Sequence, residues 1–369
     1  MHLLIYISSL SSGGAERVVS TLANFWCGRG WNIDIVTAFG RDRDFYDLDP
    51  RVRRYVLDDS GLRSRPSGLR ANVRRVWRLR KLLLESKPDV ALSMMESANV
   101  VMAVAALLAQ RAAIGSERVH PPAVATSNVW RALRWWCYRY LAAVTALTSE
   151  SSRWLLENTF ARRCPVIPNP VALPMPRVSP LVAPSSVGVA GRRRLLAVGR
   201  LDEQKGFDLL VAVFAELSRH HPNWELVIVG EGPLRGSIER QIAAVGLLDR
   251  VHLAGRVGNV GDWYAGADAF VLSSRYEGFP NTLVEAMSLG LPSVAFDCET
   301  GPRDVIDDGH NGLLVPAGDL GALKTALCRI LGDEELRISL GRKALEVADR
   351  FSLEKVAAMW ERLFVEVRS

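Results

Sequence analysis

Two carboxylates, Glu277 and Glu285, stand with seven residues between them in the run SRYEGFPNTLVEAMSLG, residues 274–290. An ionised carboxylate accepts hydrogen bonds from several hydroxyls at once. The apolar stretch AFVL closes at Leu272 and reads as a strand end, while Asn281 reads as the N-cap of a helix that Gly290 stops. Backbone N–H groups near 281–283 would then face outward, and a helix start of that kind attracts phosphate. One short segment would thus offer a phosphate seat, an acceptor for ribose hydroxyls (Glu285) and an acceptor for a neighbouring sugar hydroxyl (Glu277). Taken singly, Glu285 reads as an acid near a helix start and Glu277 as a solvated loop charge. The whole run shifts the balance towards a ligand that carries phosphate, ribose and sugar together.

A diphosphate leaving such a sugar gathers negative charge as the bond breaks, and either a metal or fixed cations must take it up. Arg200 and Lys205 follow the strand-like run LLAVG and would stand at the carboxyl end of a parallel sheet, where ligands bind. Gly13 and Gly14 lie between a first strand and a helix, so backbone could approach a phosphate there. Two acidic strings, Asp42 to Asp44 and Asp47 to Asp49, have the spacing of a metal-binding DxD, but no cluster of histidines supports a metal and their loop reads as a solvated turn. Of the six histidines, His120 differs from the rest. It follows IGSERV and precedes Pro121 and Pro122, in a loop where Glu117 and Arg118 compete with it for any role towards an acceptor, and a surface histidine before prolines reads as readily.

These residues need elements to hold them. The chain opens as strand HLLIYIS, Gly-rich turn, helix ERVVSTLANFWCGRG and strand WNIDIVTAF; after Arg194 the same grammar restarts with RLLAVGRL, DEQKG, FDLLVAVFAELSRHH and WELVIVG. Each is one βαβ unit, so two parallel-sheet domains are expected. Between them seven of the eighteen prolines fall from Pro165 to Pro184, which marks a linker at about 170–192. The expected organisation is an α/β chain with domains 1–170 and 171–350 and a C-terminal helix over 351–369, capped by Ser352, with Leu353, Val356 and Trp360 on one face.

With 369 residues, 49% hydrophobic and 23% charged, two cores of ordinary size fit. Five cysteines, at 27, 137, 164, 298 and 328, form no CxxC pair, so neither a disulfide framework nor a zinc site is expected and a reducing compartment suits the chain. The start MHLLIYISSLSSGGAE has no basic leader and reads as a buried strand, and the uncharged run from Ser97 to Gln110 is short enough to be a core helix. Charge is uneven. Residues 1–170 carry 24 Lys and Arg against 14 Asp and Glu, whereas the remainder carries 22 against 26. Between Arg51 and Lys81 stand ten arginines and a lysine against Asp58 and Asp59. From Leu69 the pattern turns helical, with Leu69, Val73, Val76, Trp77 and Leu84 on one stripe and Arg70, Arg74, Arg75, Arg78 and Lys81 opposite. VWRALRWWCYRY at 129–140 mixes three Trp and two Tyr with Arg131, Arg134 and Arg139. Such segments suit an anionic membrane surface, or else are ordinary surface helices packed inward by their apolar stripes.

The E-x7-E run, together with GGAERVV at 13–19, VIPNPV at 166–171, AVGRLDEQKGFDLL at 197–210, IVGEGP at 228–233 and NGLLVPAGD at 311–319, resembles the large retaining glycosyltransferase family of GT-B fold called family 4. The motifs cover much of the chain in matching order. The resemblance implies two Rossmann-like domains facing an interdomain cleft, the first binding acceptor and the second a nucleotide sugar, with the last helix returning to the first domain. It implies that Arg200 and Lys205 contact the donor diphosphate with backbone at Gly278, Phe279, Pro280, Asn281, Thr282 and Leu283, that Glu277 orients the sugar and Glu285 the ribose, and that Gly14 lines the donor. It places Gly13, Gly14, Glu117, Arg118 and His120 on the acceptor side, His120 near the transferred sugar, and the base against Gly255, Arg256 and Val257. No metal or other cofactor is required.

SRYEGFPNTLVEAM followed by DCETGPRD is most similar to transferases that build polyprenyl-diphosphate-linked bacterial glycans. The resulting expectation is a retaining transfer of GalNAc, GlcNAc, Gal or Glc from a UDP-sugar to a lipid-linked saccharide, by a cytoplasmic protein peripheral on the inner face of the membrane, with no nucleic-acid partner. A sugar-nucleotide epimerase of the same architecture, a GDP-mannose-dependent mannosyltransferase and a non-catalytic nucleotide-binding scaffold are the alternatives. A hydride-transfer enzyme would want G-x-G-x-x-G after the first strand, where the chain has SSGGAE.

Overall fold

The computed structural model describes residues 1–11, 13–58, 68–123 and 126–368, with the side chains of Arg43 and Leu69 also outside the description. Leu69 of the expected apolar stripe, and Asp59 with the rest of 59–67 in the basic stretch, therefore lie outside the described residues. The chain divides into two compact units, Met1–Pro170 with Val356–Ser369, and Val171–Lys355.

Unit 1 runs β1 (His2–Ile7), α1 (Gly14–Gly28), β2 (Asn32–Thr37), β3 (Arg53–Val56), α2 (Leu69–Ser86), β4 (Val90–Met94), α3 (Glu96–Ala109), β5 (Ala113–Ser116), α4 (Asn128–Cys137), β6 (Ala143–Thr145) and α5 (Ser149–Asn158). Its sheet has the order β3-β2-β1-β4-β5-β6, every pairing parallel. Strands β1 and β4 are buried along nearly their whole length, as parallel strands covered on both faces must be.

Unit 2 repeats the plan: β7 (Arg193–Val198), α6 (Phe207–Leu217), β8 (Trp224–Val229), α7 (Arg235–Ala244), β9 (Val251–Gly255), α8 (Val260–Ala265), β10 (Ala269–Leu272), α9 (Asn281–Ser288), β11 (Ser293–Asp297), β12 (Leu313–Pro316), α10 (Leu320–Gly332), α11 (Glu334–Ala344) and α12 (Glu346–Arg350). The sheet order β12-β11-β10-β7-β8-β9 is again parallel throughout. In each sheet the strand order reverses once, between β1 and β4 and between β7 and β10. A ligand crevice opens at the carboxyl ends of such strands. The last helix, α13 (Leu353–Arg368), starts with the Ser352 hydroxyl accepting from Lys355 N, and from Val356 onward clusters with unit 1. There Trp360 and Phe364 are fully buried, Phe364 stands edge-on to Trp26 (5.4 Å), and Glu361 accepts from Trp26 Nε1 and Arg29.

Helix α2 differs from its expected orientation. Of the stripe read as apolar, Val73, Trp77 and Leu84 are exposed and only Val76 packs partly against the core, while the buried face is Ala71, Arg75, Leu79 and Leu83. Spacing by four makes those residues one face of a helix. The reason is Asp58, itself buried, whose carboxylate takes Arg75 Nε at 2.8 Å and so draws an arginine into the core side. The Arg75 guanidinium also lies over the Phe39 ring, 5.0 Å from its centroid. On α4, Arg134 and Cys137 are buried while Trp135 and Trp136 remain exposed.

Candidate active site

The two loops that carry the candidate chemistry of unit 2 leave adjacent strands at the point where the sheet order reverses: 199–206 after β7, and 273–280 after β10. They are stitched to one another. Arg275 N donates to Gln204 O (2.8 Å), Gln204 Nε2 to Tyr276 O (3.0 Å) and Ser273 Oγ to Lys205 O (2.9 Å). The Arg275 guanidinium forks onto Asp208 (2.9 and 2.6 Å) and also donates to Glu203 O. Gly206, which joins the first loop to α6, has φ +63°, and a Cβ there would stand 2.2 Å from Ser273 O. Only glycine allows both the left-handed turn and the close approach.

Within this frame Lys205 Nζ donates to Glu277 Oε1 at 2.6 Å, and Ser274 Oγ donates to the same oxygen at 2.6 Å. The Thr300 hydroxyl donates to the Glu277 backbone carbonyl. Glu277 is 4% exposed, so a pair that looked like two loop charges is largely removed from water. Arg200 sits in the same loop but is exposed and held by Asp202, which also caps the turn Glu203–Lys205. Lys205 and Glu277 are therefore brought into contact, while Arg200 is engaged by a neighbour that the sequence reading did not use.

Asn281 is the first residue of α9 and not its N-cap. Pro280 occupies that position, and no side chain caps the helix. The Asn281 and Leu283 amides donate to Phe279 O and Pro280 O, so they are not the outward-facing donors that the N-cap reading required. Thr282 Oγ1 is buried and makes no hydrogen bond among the described residues. Gly278, Phe279 and Pro280 form the approach to this helix, with Phe279 buried edge-on to Phe351. Gly290, at φ +80°, follows its C-terminus as expected. Glu285 is buried in the second turn, and Tyr264 of α8 donates to its Oε2 at 3.0 Å. Nothing in the spacing of Tyr264 pointed to that bond. Gly255 ends β9 at φ +76°; Arg256 beyond it is exposed and Val257 half-buried.

In unit 1, Gly13 precedes α1, which Gly14 begins, and the Glu16 carboxylate folds against the loop: a Cβ on Gly13 would meet it at 2.1 Å. Glu117, Arg118 and His120 follow β5 and are all buried, which excludes the surface-histidine reading. Burial pushes the Glu117 carboxyl up to about 7, opposed by the hydroxyl that Tyr138 donates to it. Burial also lowers the Arg118 guanidinium to about 9; it donates to Ser116 Oγ (3.3 Å) and Asn169 Oδ1, and its Nε has no partner among the described residues. His120 Nδ1 lies 2.9 Å from Ser151 Oγ at the start of α5.

Among the described residues no three His, Cys, Asp or Glu side chains converge as a metal would need. Asp44 and Asp49 of the acidic strings are bound to Arg54 and Arg51. Nor is any described helix long and apolar enough to cross a membrane.

Two family profiles match the chain: "Glycosyltransferase Family 4" over residues 12–173 and "Glycosyl transferases group 1" over 192–333. Among curated relatives, a GalNAc-alpha-(1->4)-GalNAc-alpha-(1->3)-diNAcBac-PP-undecaprenol alpha-1,4-N-acetyl-D-galactosaminyltransferase of Campylobacter jejuni is 29% identical across 100% of this chain and 99% of its own. An exopolysaccharide phosphotransferase of Streptomyces coelicolor is 32% identical over 97% of this chain, which spans only 40% of that protein's length. Among solved structures, the sucrose-phosphate synthase of Thermosynechococcus elongatus matches with a TM-score of 0.81 at 22% identity (100% and 99% of the two chains), and Anabaena HepE in complex with UDP with 0.80 at 19% identity (99% and 100%). At such identities these likenesses establish the fold, two Rossmann-like units of the GT-B kind.

Proposed function

We propose, from the premise that this chain belongs to the family 4 glycosyltransferases, that it takes a hexose or N-acetylhexosamine from a UDP-sugar and places it, with retained anomeric configuration, on a hydroxyl of a lipid-linked saccharide. The candidate sugars are GalNAc, GlcNAc, Gal and Glc. The single observation that carries the reading is the Lys205–Glu277 pair at the strand-order reversal of unit 2. An ammonium held by a buried carboxylate is a cation fixed in place before the donor arrives, and preorganised charge is what a departing diphosphate needs. In the reaction the bond from the anomeric carbon to the diphosphate oxygen breaks, the acceptor oxygen takes its place on the same face, and the acceptor proton leaves with the diphosphate.

Lys205 and Arg200 take up the diphosphate charge, with the buried Thr282 hydroxyl as a further donor and residues 278–283 as the wall beside it. Glu277 orients the sugar, and Glu285, steadied by Tyr264, accepts from the ribose. Arg256 and Val257 border the base. In unit 1, Gly13, Gly14, Glu117, Arg118 and His120 serve the acceptor. Fixed cations do the work of a metal, so no metal is required. The printed activity of the Campylobacter relative, which matches end to end, supports a polyprenyl-diphosphate-linked acceptor in bacterial glycan synthesis. The UDP in the Anabaena neighbour supports a uridine donor. The basic first half and its uncovered aromatics support a peripheral position on the anionic inner face of the cytoplasmic membrane.

The test is transfer from a panel of UDP- and GDP-sugars to a lipid-diphosphate-linked saccharide in EDTA, ranked first by thermal shift. A UDP-sugar should stabilise the protein and be turned over without metal, and Lys205→Ala and Glu277→Ala should each remove turnover. Activity abolished by EDTA, or unchanged in either variant, rejects the assignment.

A further inference from the structure

Lys205 and Glu277 arrive on separate loops, so their contact depends on whatever holds those loops in register. The front of the first loop is tied away from Glu277: Gly199 N donates to Val229 O (3.0 Å) and Leu201 N to Glu231 O (3.1 Å), both on the β8 side. The back of that loop, which carries Lys205, is tied by Arg275. The Arg275 backbone N donates to Gln204 O at 2.8 Å, and its guanidinium donates to Glu203 O at 2.8 Å and forks onto Asp208 at 2.9 and 2.6 Å. Arg275 thus grips the chain at 203 and 204, before Lys205, and at 208, after it, while standing two residues ahead of Glu277 in its own loop.

A guanidinium suits this position because its planar fork fixes direction as well as distance on a carboxylate, which an ammonium cannot do. Bonding to Arg275 holds the Asp208 carboxyl below the usual carboxylate range, so the fork stays charged on both sides at neutral pH. The Lys205 stem is held as well. A Cβ on Gly199 would meet its Cγ and Cδ at 3.0 Å, so the hydrocarbon lies along bare backbone. With stem and flanks fixed, the ammonium reaches Glu277 at 2.6 Å and gives up little rotamer freedom when a ligand arrives.

We propose that Arg275 is a positioning residue of the donor site: braced on Asp208, it brackets Lys205 and so fixes the ammonium where the charge of a departing diphosphate develops. The inference rests on the leaving-group role that the proposed function gives Lys205. Arg275 acts through that lysine and not by touching the ligand, so its removal matters only while the lysine is present.

Calorimetry of the full chain with UDP and with uridine tests this, since UDP carries the charge that the leaving group acquires and uridine lacks it. Lys205→Met should weaken UDP about thirtyfold, the value of one hydrogen bond between charged groups, and leave uridine unchanged. Arg275→Met should weaken UDP about fivefold, the cost of ordering one freed side chain, again with uridine unchanged. Arg275→Lys, which keeps the charge and loses the fork, should match Arg275→Met. Asp208→Asn removes the partner of the fork at a side chain 43% exposed, and should weaken UDP in the same sense even if Arg275→Met does not fold. In the Lys205→Met background, Arg275→Met should change UDP affinity by less than about twofold, because both changes act on one contact. Additive losses there would show Arg275 touching UDP directly, and equal losses of UDP and uridine would show a merely structural role. Either result overturns the inference, as does full UDP affinity in both Arg275→Lys and Asp208→Asn. Parental UDP affinity in Lys205→Met refutes instead the leaving-group role in the proposed reaction, and the positioning of that lysine with it.

Discussion

Removing the Lys205 ammonium while keeping its hydrocarbon, as in Lys205→Met, separates what that charge does for folding from what it does for turnover. Unit charges 2.6 Å apart attract by about 6 kcal/mol at an effective dielectric constant of about 20. Desolvation offsets part of this, and breaking one side of a buried pair costs about 3–5 kcal/mol because the remaining charge is stranded. The side chains here are 16% and 5% exposed, so the lower end of that range applies. Lys205→Met should therefore lower unfolding free energy by about 3 kcal/mol, read by urea denaturation, and lower kcat on the order of 10²–10³-fold, the usual result of deleting one preorganised donor to developing negative charge. Adding Glu277→Gln removes the stranded carboxylate. The double variant should recover most of the stability and none of the turnover. A single variant as stable as the parent would mean that the pair is solvated. A double variant with restored turnover would mean that Lys205 serves only to neutralise Glu277 and that the reaction needs neither charge, and the leaving-group argument would fail.

Glu117 ionises at about 7 when folded against 4.5 in the free side chain. Stability from keeping it protonated is present below pH 4.5 and lost as pH rises through 7, by about 3 kcal/mol in all; Glu117→Gln should flatten that fall in urea titrations between pH 4.5 and 8, and an identical slope would contradict it. Gly206→Ala should lower the melting temperature and weaken UDP-sugar binding together, because a Cβ meets Ser273 O at 2.2 Å and φ +63° costs a further ~1–3 kcal/mol. The control Gly236→Ala on α7, where a Cβ meets nothing within 4 Å, should not destabilise, and equal loss in both would undo the argument. Tyr264→Phe removes the donor to Glu285 and should weaken UDP binding about fivefold, roughly 1 kcal/mol, with kcat nearly unchanged; calorimetry showing parental affinity would detach Tyr264 from the site. Trp135→Ser with Trp136→Ser should reduce sedimentation with anionic vesicles while leaving UDP affinity alone, and undiminished sedimentation would move the membrane contact elsewhere.

Lys205 and Glu277 lie 72 residues apart; the sequence placed each in a loop after a short apolar strand, at one edge of a parallel sheet, but their ion pair follows only from the adjacency of β7 and β10. The Tyr264–Glu285 bond was not legible in the same way. Tyr264 belongs to a six-residue helix that packs beside α9, and only that packing says which hydroxyl reaches the carboxylate. The turn before α9 was misread for a local reason: Asn281 has the chemistry of a cap, but Pro280 already stands at the boundary and Asn281 begins the helix. Glu117 and Arg118 read only as loop residues competing with His120 for a role towards the acceptor. Burial beneath Tyr138 and Asn169 is a fact of the third dimension.

Local patterning in the amino-acid order alone determined where strands, helices and the proline-rich connection fall, since period, caps and glycine act over a few residues. It also determined which loops hold the reactive groups, since a βαβ chain has little choice of edge. Which face of α2 is buried was decided only when Asp58 came near, because one buried carboxylate outweighs the small hydrophobic difference between two helix faces.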